Sequence, residues 1–176
     1  MNRRNAISNI VLLSMGAMVL PSCGQKDEPL VKLNNFSITK GEEQTLSQLS
    51  DTIIPKSNFT GDENVNPREF ILVMVDDCYE PERQKRFIAG LKQFDKMSKE
   101  KYAGSFTALD AGKKKSLLAG IEKKEDIPED VLFFYETTKR HTVQALTSSR
   151  DYMTKVLKYN MVPGSNFKGC VPTTKV

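Results

Sequence analysis

Four places along this chain carry the chemistry that starts a helix. Thr39-Lys40-Gly41-Glu42 reads as a capping box, with the threonine and the glutamate three residues on able to satisfy each other's backbone N–H groups. Asn66-Pro67-Arg68-Glu69 repeats the pattern with a proline in the first turn, where its missing N–H costs nothing. Asp110 precedes a third start, and Asp126-Ile127-Pro128-Glu129 reads as a fourth, with Asp126 as the cap and Pro128 inside the turn. No Asn-Gly or Asp-Gly hairpin dipeptide, internal repeat or low-complexity tract interrupts them. A chain so marked is expected to be all-helical.

The apolar residues agree with the caps. Leu46, Leu49 and Ile53 form a stripe that Pro55 ends. Phe70 to Val75 is an unbroken apolar run, equally readable as buried strand or buried helix, and the Asn66 cap decides for helix. Glu82 to Met97 places Phe87, Ile88, Leu91 and Phe94 on one face, Phe106 and Leu109 mark a short turn, and Leu117, Leu118 and Ile121 follow Asp110. Val131, Tyr135, Thr138, Thr142 and Ala145 then recur at helical spacing, flanked by Phe134, His141 and Leu146. After Ser148 comes a short helix (Tyr152, Met153, Val156, Leu157) and a turn-rich tail with Tyr159, Pro163, Gly164, Phe167 and Gly169. The expected fold is a compact bundle of five or six helices, preceded by a signal peptide and a flexible tether.

The leader reading rests on Arg3 and Arg4, the apolar run Ile10 to Leu20 and small residues after it. That run is too short for a comfortable membrane span. Leu20-Pro21-Ser22-Cys23 resembles a bacterial lipobox, which implies cleavage before Cys23 and a lipid on its thiol. The arginine pair also resembles a twin-arginine export signal, without the usual phenylalanine, so the route stays open between that and general export. The expected division is 1–22 signal peptide, 23–36 tether and 37–176 helical domain, in a bacterial cell envelope and facing the periplasm.

Catalytic patterns are scarce. With one histidine, no Gly-rich phosphate loop and no Gly-x-Ser-x-Gly, neither a metal site nor a nucleophile is signalled. His141 beside its stripe reads as half-buried and hydrogen-bonded, Asp76 and Asp77 as a solvated helix end, and Lys113-Lys114-Lys115 as a solvated face. A net charge of +4, two of it from Arg3 and Arg4, is too small and too scattered for a nucleic-acid surface. With Cys23 lipidated, Cys78 and Cys170 remain in an oxidising compartment. They are either bridged across a loop of about 90 residues or two separate thiols.

Leu49-Ser50-Asp51-Thr52-Ile53-Ile54-Pro55, Phe87 to Asp95 and Phe106-Thr107-Ala108-Leu109 form an ordered series of elements. Phe133 to Thr138 and a closing segment with Tyr152, Tyr159, Pro163, Phe167, Gly169 and Cys170 complete it. In that order, from Leu46 to Cys170, they resemble the gluconate 2-dehydrogenase subunit 3 family. The resemblance implies a non-catalytic accessory subunit with no cofactor of its own. Its partner would be a flavoprotein of the glucose-methanol-choline (GMC) type that holds FAD and oxidises a sugar or sugar acid, with electrons leaving through a c-type cytochrome. A lipid anchor departs from the family's usual arrangement. The rival reading is a stand-alone periplasmic lipoprotein that binds a ligand in a cavity; a self-sufficient enzyme centred on His141 ranks behind both. Tyr152, Tyr159 and Phe167 are the expected partner-facing residues, because aromatics anchor interfaces; the bland alternative is that they cap the core.

Overall fold

A computed structural model describes residues 31–55, 65–124 and 126–159. Among these the fold is all-helical: α1 (Lys40–Ile53), α2 (Pro67–Cys78), α3 (Pro81–Tyr102), a 3-10 turn (Phe106–Ala108), α4 (Ala111–Glu122), α5 (Glu129–Thr147) and a π turn (Tyr152–Val156). The expected signal peptide, and the tether as far as residue 30, lie outside the described residues.

Three of the four helix starts form as the sequence indicates. Thr39 Oγ1 accepts from the Glu42 N–H at 3.2 Å while the Glu42 carboxylate accepts from the Thr39 N–H at 2.7 Å. Asn66 caps α2 through Glu69 N–H with Pro67 in the first turn, and Asp110 accepts from Lys113 N–H at 2.8 Å. The fourth start differs. Pro128, not Asp126, is the N-cap of α5, no side chain caps it, and Asp126 has a left-handed φ of 53°. The reason is local: a proline forces the residue before it out of the helical region. Ile127 therefore cannot join the first turn, and Asp126 is left too far back to cap it.

α5 is the hub of the packing. Its most extensive interface is with α3, followed by α2 and then α1. Phe87 and Phe94 of α3 meet Phe134 with ring centroids 5.1 and 5.5 Å apart, and Phe106 of the 3-10 turn closes on Phe94 at 4.9 Å. All four rings are fully buried. Tilted aromatic pairs at these distances contribute about 0.5–1.5 kcal/mol each beyond the area they bury. The rest of the α5 stripe is buried as well, including Thr138 and Thr142. Thr142 Oγ1 answers its own polarity by donating to the Thr138 carbonyl at 2.7 Å.

α4 is fastened to α5 by polar contacts at Glu122. Its carboxylate accepts from Tyr135 at 2.7 Å and from Lys139 at 2.5 Å. Lys139 first, then Tyr135, hold the Glu122 carboxyl below its ordinary pKa. Burial first, and then the same carboxylate, push the Tyr135 phenol well up. Lys114, expected in a solvated face, instead lies over the Phe106 ring and donates to Gln48 at 2.5 Å, while Lys113 and Lys115 are exposed.

The N-terminal approach departs furthest from expectation. Residues 31–36, assigned to the tether, lie against the body: Val31 and Ile38 are core residues and Leu33 and Phe36 pack on them. Asp76 holds this strap, accepting from the N–H groups of Asn34 and Asn35 at 2.7 and 2.8 Å. Asp76 is therefore buried, 3% exposed, rather than part of a solvated helix end. Two backbone N–H groups offset the cost of burying its charge. Gln84 seals the same junction, donating to the carbonyls of Asp76 and Tyr79 at the end of α2.

α3 and α5 approach most closely at Gly90. A Cβ there would lie 2.1 Å from the Asp130 carbonyl oxygen and 2.6 Å from the Phe134 Cβ. Gly90→Ala adds helix propensity of about 1 kcal/mol, but pushing apart two backbones costs about 1–3 kcal/mol or more. The variant should melt below the wild type in a thermal scan. A higher melting temperature would contradict this packing.

Candidate functional site

Two surfaces carry the residues that could meet another molecule. The first is the C-terminal end of the described chain. The π turn buries none of its residues, and Val156, Leu157 and Tyr159 are 41%, 56% and 55% exposed. Tyr152 is half-buried, its N–H donating to Ser149 Oγ at 3.2 Å. Tyr159 therefore does not cap the core. Beside it, between α2 and α5, runs a groove of about 430 Å³ whose apolar lining is Val65, Phe70, Val73 and Ala145.

The second surface surrounds the junction of α2 and α3. Tyr79, the C-cap of α2, lies 3.0 Å through its hydroxyl from His141 Nε2 and accepts from Arg140 at 2.5 Å. Arg140 can only donate, so the phenol proton goes to Nε2. That assigns the imidazole proton to Nδ1, which lies 3.0 Å from Gln144 Oε1. His141 is thus a buried neutral imidazole with both nitrogens satisfied, and Phe70 meets its ring edge-on at 6.2 Å. The expectation of a hydrogen-bonded histidine holds, with deeper burial than a stripe-flanking position suggests.

The remaining residues singled out in the sequence are dispersed. Cys78 is exposed at the last position of α2. Cys23, Cys170 and Phe167 lie outside the described residues, and with them the lipid anchor and the question of a bridge. Among the described residues no group of three or more His, Cys, Asp or Glu side chains is placed to hold a metal ion. No helix there is long and apolar enough to cross a membrane. Sequence reasoning gave no site role to Tyr79, Arg83, Phe133 and Arg140, which converge from the end of α2, α3 and α5 and have no shared spacing that could have flagged them together.

The buried imidazole gives a pH signature. Burial is the main cause holding the His141 pKa below its ordinary value; Gln144 pulls it up and Arg140 down. The folded chain then binds fewer protons than the unfolded one below about pH 6.5, so this contribution is present above that pH and lost as pH falls. The melting temperature should drop between pH 7.5 and 5.5, and His141→Gln should flatten that drop. Parallel curves for the two proteins would contradict a neutral buried His141.

No curated protein and no solved structure matches this chain. A family model does, described as gluconate 2-dehydrogenase subunit 3, over residues 40–164. That span begins at the first residue of α1 and takes in every helix of the described residues and the hub they share. The chain belongs to the gluconate 2-dehydrogenase subunit 3 family.

Proposed function

We propose that this chain is a non-catalytic accessory subunit that supports export, maturation and membrane tethering of a GMC-type, FAD-dependent sugar or sugar-acid dehydrogenase. Family membership is the observation that carries this reading. FAD belongs to the large subunit, and electrons leave it through a c-type cytochrome. This chain contributes surfaces. The exposed Val156, Leu157 and Tyr159 support one of them, because exposed apolar side chains gathered in one short stretch are favoured where a partner covers them.

Tethering is assigned to Cys23. Seven residues separate it from Val31, where the strap docks on the body. Fully extended, the eight steps from Cys23 to Val31 span about 28 Å, so a lipid on Cys23 would hold the body close to the bilayer surface. The Asp76 clamp makes that reach short, since it removes residues 31–36 from the free linker.

Gentle purification through a C-terminal tag tests the reading. The preparation should carry flavin absorbance, and its intact mass should show a diacylglyceryl group on Cys23. Tyr159→Ala should weaken the association by about 2 kcal/mol or more while leaving the melting temperature of the isolated chain nearly unchanged. Absence of flavin would overturn the accessory role, and an unprocessed Met1 chain in the soluble fraction would overturn the anchor. A Tyr159→Ala chain that melts early but retains its flavin in the cold would remove that residue from the interface.

A further inference from the structure

Tyr79 is gripped from two sides by arginines. The Arg83 guanidinium of α3 stacks 4.5 Å from the Tyr79 ring centroid and 5.5 Å from that of Phe133. Arg140 of α5 donates to the Tyr79 hydroxyl. Arg86 covers Phe133 at 5.1 Å, and its charge is answered by Glu129 and Asp130 at 3.3 and 2.9 Å. Arg83 and Arg140 differ: both are exposed, and among the described residues neither is paired with a carboxylate. Two guanidiniums are thus held in place by one aromatic ring and its hydroxyl, without a carboxylate partner among the described residues.

We propose that the Tyr79–Phe133–Arg83–Arg140 face docks a carboxylate-bearing segment of a protein partner. Arg83 is ordered by stacking and Arg140 by its hydrogen bond to Tyr79, so pairing them costs little further rotamer entropy, and their planar forks match carboxylates with two parallel hydrogen bonds. Tyrosine and arginine are also the residue types that dominate interface energies. A flat anionic bilayer suits the face less well. Asp77, Glu80, Glu82 and Glu129 are all exposed along the same stretches and would be pressed against the headgroups. One or two acidic side chains on a partner can reach the guanidiniums between those carboxylates.

The accessory-subunit reading is needed only to name the first probe, the flavoprotein that co-purifies. Flavin retained per chain should fall about tenfold or more in Arg83→Gln/Arg140→Gln. It should be unchanged in Lys113→Gln/Lys115→Gln, which removes the same charge from the exposed part of α4. Arg83→Lys/Arg140→Lys should retain an intermediate amount, because charge survives without the fork. Equal retention in Arg83→Gln/Arg140→Gln and wild type, or equal loss in both glutamine pairs, would overturn the proposal. Should the wild type carry no flavin, the accessory reading fails by itself, and a glutamate-rich peptide titrated onto the full chain decides the face. Binding at least about tenfold tighter to wild type than to Arg83→Gln/Arg140→Gln supports it. Equal binding overturns it, as does arginine-dependent binding to phosphatidylglycerol vesicles in place of the peptide.

Discussion

The contact between α3 and α5 is what the other elements depend on. Gly90 lets the α3 backbone come against Asp130 and Phe134, and that distance brings Phe87 and Phe94 onto Phe134. Phe106 then has a ring to close on, which fixes the 3-10 turn and the direction in which α4 leaves. One turn before Gly90, Arg86 reaches Glu129 and Asp130, and so pins the uncapped start of α5. The same two carboxylates sit in the first turn of α5, where the helix dipole favours negative charge. α5 therefore begins correctly without a side-chain cap because α3 holds it there.

From that hub the strap at residues 31–36 and the turn that follows α5 are tied to one node. Asp76 and Gln84 fix the α2–α3 junction, Asp76 also holds the strap that leads back toward Cys23, and Tyr79 links the junction to His141 and Arg140 on α5. α5 in turn leads to the exposed Val156, Leu157 and Tyr159. Such a node keeps the strap at residues 31–36 and the exposed side chains after α5 in a fixed relation. Asp76, Gln84 and His141 are buried, Tyr79 is half-buried, and all four are hydrogen-bonded, so loosening any one leaves others unsatisfied.

How much of this is legible in the sequence depends on how local each cause is. Thr39, Asn66 and Asp110 cap helices through contacts three residues away, and each can be read from the residues themselves. The α5 stripe from Val131 to Ala145 is equally plain, because periodicity and burial coincide. Asp126 misleads because the effect of Pro128 on Ile127 outweighs a matching cap pattern. Asp76 is opaque for another reason: its partners are backbone N–H groups more than forty residues upstream, which no residue type announces. Arg83, Phe133 and Arg140 meet Tyr79 only once α3 and α5 are packed, so the candidate docking face is a product of the fold.

The central claim is that this chain acts through surfaces while the chemistry belongs to its partner. The direct test removes the chain from its native cell and measures two quantities for the dehydrogenase flavoprotein: the amount of exported flavin-loaded enzyme, and turnover per flavin. The account predicts that the amount falls while turnover per flavin, assayed with an artificial electron acceptor, is unchanged. An unchanged amount with turnover per flavin lost would place this chain in the reaction itself and contradict the account.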